Sequence, residues 1–376
     1  MELNHLARNY VFEKFHDNIR YNLIEYYQII DFNSKTHQTW SSLCAYLSKR
    51  VFSLITHLNF DDFNWIPTFS STYHIPLINL NNNYLQTPYT LSLKPDVLPA
   101  LITVLHYYQI KQFVYVYNDI NGAHRLKQLM NRQTTEKLFE FNILNRYLDN
   151  IDDAYDLLYN IELITGSSFR SYGRHSFGRY IILDFSSIEI YQIFMDKIKH
   201  RGMTTSDYHY ILLSLNAHQL DMTYFRYGGV NVTYFVLPTI SNEYTVRLQT
   251  QNIYSIESLL LTDAWELMSR TIDRLMNSTR NLQSNVNCEK AEILSWKYGK
   301  FVWEQILQSH FHGLTGSIEF DHRTGQRTNY TFEIHRVTRN NLPKRIGYFR
   351  APDRLEVCKL FVSIFFICFS LFALDC

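Results

Sequence analysis

Residues able to do chemistry are plentiful in this chain but fall into no mechanistic order. Fifteen histidines and thirty-five acidic residues would permit many acid–base pairs. Yet there is no G-x-S-x-G nucleophile elbow, no G-x-G-x-x-G behind a strand and no H-E-x-x-H. Catalysis is therefore not expected, and no catalytic residue or cofactor is assigned. The five cysteines are Cys44, Cys288, Cys358, Cys368 and Cys376. None forms a C-x-x-C pair, so no zinc or other metal site is expected. Their odd number leaves at least one thiol over in any disulfide scheme. Gly166, Gly173 and Gly178 lie among Arg170, Arg174, His175 and Arg179. The spacing of a phosphate loop is missing, and a solvated loop accounts for them better. Three N-x-[ST] triplets start at Asn231, Asn277 and Asn329. They are glycosylation acceptors only if the chain is extracellular.

Composition narrows the partners. Lys plus Arg number 36 and Asp plus Glu 35, a net charge of +1. That balance gives no electrostatic case for nucleic acid. Hydrophobic residues make up 46% of the 376, the share of an ordinary globular protein, and the length admits two or three domains. Met1 to Phe15 has no apolar core of the kind a signal peptide needs. The tail from Leu360 to Leu374 is apolar apart from two serines. As a helix it would span about 22 Å, short of the roughly 30 Å of a bilayer core. A short membrane anchor and an altered terminus are the two readings of it.

The elements that must position these residues follow from periodicity. Phe12, Phe15, Ile19, Leu23 and Tyr26 predict a helix over Tyr10–Ile30; Trp40, Leu43, Leu47 and Val51 predict another over Thr39–Phe52. Cys44 sits in the second, and a buried free thiol and a disulfide are equally open there. Leu91 and Leu93 end a strand, and Pro95 with Asp96 reads as a helix start. Val97, Leu101, Val104, Leu105 and Tyr108 form its buried stripe. Phe113–Tyr117 is a continuous apolar strand of the kind buried on both faces of a parallel sheet. Tyr180–Asp184, a helix around Ile188–Ile198, and Tyr208–Leu213 make a strand–helix–strand unit. Thr262–Leu275 reads as a helix. Gly313–Asp321, a turn over His322–Gln326, and Tyr330–His335 read as a two-strand hairpin. Strands alternating with helices give an α/β class.

The order of residues says more than their period. Gly313-Leu314-Thr315-Gly316-Ser317-Ile318-Glu319-Phe320-Asp321, continuing to Arg327-Thr328-Asn329-Tyr330-Thr331, closely resembles a segment near the end of the amino-terminal domain of AMPA- and kainate-type ionotropic glutamate receptors. Arg345-Ile346-Gly347-Tyr348-Phe349, Tyr208-His209-Tyr210-Ile211-Leu212 and Gly228-Gly229-Val230-Asn231-Val232-Thr233 resemble further segments of that domain. So does Tyr89–Tyr117, with Val97, Ile110, Gln112 and Asn118 as departures. The segment around Cys44 also resembles the family's, as does Trp65–Phe69.

The resemblance implies a two-lobed fold of the type-1 periplasmic-binding-protein kind, similar to Leu/Ile/Val-binding protein. The receptor domain would cover 1–357, with lobe 1 about 1–93 and 240–310, lobe 2 about 94–239 and 311–357, and a hydrophobic tail over 358–376. It implies a Cys44–Cys288 disulfide and, in an extracellular chain, glycans at Asn231, Asn277 and Asn329. It implies subunit dimerisation within a tetrameric channel at the postsynaptic membrane, and recognition of synaptic extracellular proteins. No nucleic-acid partner is expected, and any membrane contact is expected through Leu360–Leu374. An amino-acid-binding module is the alternative function. Measured against the family, lobe 1 is expected to be incomplete. Its first strand is missing, and the stretches between Thr56 and Trp65 and over Glu243–Leu259 are short. Nothing after Arg350 resembles the agonist-binding or pore domains, so a partial chain is expected.

Overall fold

The structure is a computed structural model that describes residues 44, 51–57, 65–81, 87–136, 141–170, 179–225, 228–238, 255–276, 286, 295–337 and 343–357. The helix expected over Tyr10–Ile30, the residues Asn277 and Cys288, and the tail Leu360–Leu374 lie outside them. The chain forms two compact units. Unit one holds Met1–Pro95 and Thr239–Thr328; unit two holds Asp96–Pro238 and Asn329–Cys376. Residues 311–328, expected to open the second lobe, group instead with unit one.

Unit one contains a parallel sheet of β1 (Leu54–Thr56), β2 (Leu77–Asn79) and β3 (Thr90–Ser92), in that order. Helix α1 (Trp65–Tyr73) connects the first two. Every residue of β2 and β3 is buried.

Unit two is built on an eight-stranded sheet. Its parallel part is β4 (Gln112–Tyr117), β5 (Asn142–Tyr147), β6 (Tyr180–Asp184), β7 (His209–Leu212) and β8 (Asn231–Val236). These lie side by side in the order β5-β4-β6-β7-β8. Helices α2 (Leu98–Tyr107), α3 (Ile120–Glu136), α4 (Ala154–Arg170) and α5 (Ile188–Arg201) precede or connect the strands.

The sheet is covered on both faces. Val114, Val116, Ile181, Leu183, Tyr210 and Leu212 pack with Leu158 and Ile161 of α4 and Phe194 and Ile198 of α5. The alternate residues Phe113, Tyr115, Ile182 and Ile211 are equally buried. They face the side of α2, whose following residue Tyr108 meets the His209 ring at 5.4 Å. Strands this apolar on both faces are what a doubly wound sheet requires, and each large side chain so buried contributes about 1.5–3 kcal/mol. Helix α5 shows the local logic. Ser187, in extended conformation, caps its start, and Lys199, His200 and Arg201 crowd the negative end of its dipole. Gly202 ends it in the left-handed region at φ 77°.

Three expectations are corrected. Helix α2 starts at Leu98, not at Pro95; Val97 occupies the cap, Pro99 falls in the first turn, and the Asp96 carboxylate accepts from the Leu98 amide at 3.0 Å. Helix α6 (Ile256–Met276) begins well before Thr262, because Ile256, Leu259 and Leu260 already continue its buried face.

The expected hairpin does not pair with itself. After α7 (Gly299–Leu307), strand β10 (Gly316–Phe320) pairs antiparallel with β9 (Phe311–Gly313) and β11 (Arg327–Thr328) within unit one. Strand β12 (Thr331–Val337) instead joins unit two, between β8 and β13 (Lys344–Arg350), with β14 (Arg354–Val357) at the edge. Asn329, at φ 50°, turns the chain between the two. The alternation itself is as expected: Tyr330, Phe332 and Ile334 are buried, while Thr331, Glu333 and His335 are half-buried.

Candidate functional site

In an open parallel sheet, ligands characteristically sit beyond the carboxyl ends of two neighbouring strands whose connections leave in opposite directions. In unit two those strands are β4, which leads to β5 on one side, and β6, which leads to β7 on the other. Asp184 ends β6 beside Tyr117 of β4. Its carboxylate accepts from the Tyr115 phenol at 2.5 Å and from Arg125 Nε at 2.7 Å, and a terminal nitrogen of Arg125 bonds its other oxygen. This is a two-pronged guanidinium–carboxylate pair, with side-chain exposures of 14% for Arg125 and 2% for Asp184. Above it, Asn118 and Ser186 tie the two strand ends together. The Asn118 amide donates to Ser186 Oγ at 3.0 Å, and the Ser186 amide donates to Asn118 Oδ1 at 2.8 Å. Asp119 accepts from the Gly122 amide at 2.8 Å and from Asn121 at 2.9 Å, which caps α3. The acid, the base and both amides at this edge are thus engaged with one another.

Asp184, Arg125 and Tyr115 were not legible in the sequence as a group. The available signal was an acid closing the apolar run Tyr180–Leu183 at a strand end. Its partner Arg125 lies 59 residues upstream and nothing local announces it.

The Gly313–Thr315 segment proves to be a buried joint in unit one. Asp263 on α6 is fully buried and accepts from the Leu314 amide at 2.6 Å, the Thr315 amide at 2.9 Å and Thr315 Oγ1 at 2.5 Å. Arg327 completes it. It donates to Thr315 Oγ1 at 2.7 Å, Thr315 O at 3.0 Å, Ser317 O at 2.7 Å and Leu93 O at 3.3 Å. A Cβ on Gly313 would stand 2.4 Å from Asp263 Oδ1, so the first glycine is fixed by close approach. These residues hold β9, β10 and β11 to α6 and β3. They are framework, and they explain why this spelling needs both glycines, the threonine and the distant arginine.

The remaining site residues are dispersed. Cys44 is helical, buried and disulfide-bonded, which excludes the free thiol. No other cysteine lies within the described residues. Asn329 is exposed. Asn231 opens β8, half-buried, and its Oδ1 accepts from Arg336 Nε at 3.2 Å. Among the described residues no group of three His, Cys, Asp or Glu side chains could hold a metal ion. No described helix is long and apolar enough to cross a membrane.

A family model described as "Receptor family ligand binding region" matches residues 23–340. The chain belongs to that family. Its fold is accordingly of the periplasmic-binding-protein type, and the doubly wound sheet of unit two is what that fold requires. The chain is also similar to a protein named "Glutamate receptor" from Lymnaea stagnalis, 19% identical over 340 residues. That match covers 83% of this chain and 36% of the relative, so the chain spans about a third of the length of the curated relative it matches.

Proposed function

We propose that this chain is the extracellular amino-terminal domain of an AMPA/kainate-like ionotropic glutamate receptor subunit, and that it acts in subunit pairing and partner recognition. One observation carries the choice of assembly over agonist binding. At the strand ends of unit two, where this class of sheet would present groups to a ligand, Asp184, Arg125, Tyr115, Asn118 and Ser186 are bonded to one another. A ligand carrying both an ammonium and a carboxylate would have to break a buried ion pair to use them, at a cost of about 3–5 kcal/mol. Unit one then corresponds to lobe 1 and unit two to lobe 2. Cys44 pairs with Cys288, Asn329 and Asn231 carry glycans, as does Asn277, and the pore and agonist domains lie in the rest of a longer subunit. The partners are other subunits, in dimers within a tetramer, and synaptic extracellular proteins.

The experiment is sedimentation velocity of the secreted protein across a concentration series, beside calorimetric titration with L-glutamate. A concentration-dependent dimer with no glutamate heat is the expected result. A protein that stays monomeric at every concentration while giving a saturable glutamate heat would reverse the reading. It would favour an amino-acid-binding module, the sense that the family's description carries.

A further inference from the structure

Unit two holds a second feature, away from the strand ends just described. The carboxyl end of α2 stands off from strands β12–β14 and leaves a recess of about 390 Å³. Val104, Tyr107 and Tyr108 form one wall; Ile334, Ile346 and Leu355 form the other. Among the described residues Arg336 is the only cationic one lining it. Its guanidinium lies 5.6 Å from the centre of the Tyr108 ring, and Asn231 fixes its Nε.

The charge of Arg336 is not balanced locally. Among the described residues no carboxylate lies within ion-pair distance of it. The acids on the neighbouring strands are committed elsewhere: Glu333 to His335 and Arg345, and Glu356 to Arg350 and Arg354. The polar groups that do face Arg336 are neutral. Burial, reinforced by Arg336, holds His209 down at about 3, so its imidazole is uncharged. Burial raises the Tyr108 phenol above its ordinary value, so it stays protonated. Asn231 carries no charge. A guanidinium has five N–H donors; Asn231 takes one and the Tyr108 phenol engages another.

We propose that this recess binds a small amphipathic carboxylate, its anionic group paired with Arg336 and its apolar body against Val104, Ile334, Ile346 and Leu355. A cation in a half-buried apolar setting gains more from an anion than it would in open water, because screening there is weaker. A cavity of this size suits an apolar body of several carbons with one charged end. The inference is independent of the assembly role, since it neither needs nor excludes a dimer.

The test uses the full 376-residue chain and sodium octanoate as the probe, with octanol as its uncharged counterpart, followed by calorimetry or ligand-observed magnetic resonance. Octanoate is expected to bind saturably, and Arg336→Gln to weaken it about tenfold or more while leaving octanol unchanged. Leu355→Trp, which fills the recess from an edge strand, should remove both. In the wild-type protein, added salt should weaken octanoate but not octanol. That comparison stands even if a variant fails to fold. Absence of saturable octanoate binding at millimolar concentration overturns the proposal. So does octanoate binding that is indifferent to both salt and Arg336→Gln.

Discussion

Asp263 illustrates how one buried side chain can hold a whole segment. Asp263→Ala would strand two buried amides and a hydroxyl, and is expected to cost about 3–5 kcal/mol. Thr315→Val removes a single hydroxyl and should cost about 1–3 kcal/mol. Denaturant midpoints of the two variants measure the ratio; equal losses would mean that Asp263 acts only by filling space. His209 gives a pH dependence of definite sign. Its folded value of about 3 lies below the ordinary 6.5, so the unfolded chain takes up the proton first. The stability it contributes is present above about pH 6.5 and is lost as pH falls toward 3, at up to about 1.4 kcal/mol per unit. Wild type and His209→Gln should therefore converge in stability between pH 7 and 4. Curves that stay parallel would show that His209 is not the group responsible.

Elements here are set by their ends as much as by their stripes. Helix α5 was legible from its stripe of Ile188, Tyr191 and Ile198, and Ser187, the basic last turn and Gly202 fix its ends. Gly202→Ala is expected to cost about 1 kcal/mol, since φ 77° suits only glycine well. A thermal melt unchanged by that substitution would contradict the cap. Helix α4 was not legible. Its run from Ala154 to Arg170 contains Gly166 and two serines, poor helix formers whose preference is overridden by burial of Leu158 and Ile161 against the sheet. The bonds between strand ends behave in the same non-local way. Asp184→Ala would leave the Arg125 charge beside an emptied site and should cost about 3–5 kcal/mol, whereas Arg125→Met combined with Asp184→Leu should cost much less. A double-mutant cycle reads the difference, and additive losses would argue against a coupled pair.

At the scale of the whole molecule, the chain leaves unit one after Pro95, returns after Pro238 and leaves again after Thr328. Each unit is therefore discontinuous in sequence, and neither can be cut out as one segment. If Cys44 is bonded to Cys288 as proposed, the bridge closes most of unit one's discontinuous chain and constrains its unfolded state by several kcal/mol. Secreted protein should migrate differently with and without reductant, and Cys288→Ser should remove that shift. A shift that persists in Cys288→Ser would place the partner of Cys44 elsewhere.

The α/β class, the parallel strands and the family were all legible before any fold was in view. Apolar runs such as Phe113–Val116 and the G-L-T-G spelling are local properties that survive without a partner strand in view. Where those pieces go is settled by long-range packing. Strands β10 and β12 alternate as the halves of a hairpin should, yet they enter different sheets. A period of two fixes which side chains face inward and says nothing about which neighbour supplies the hydrogen bonds. The same limit hid the strand-end cluster and the Arg336 recess. Both are made by side chains distant in sequence, whose charges become consequential only once the backbone has brought them out of water.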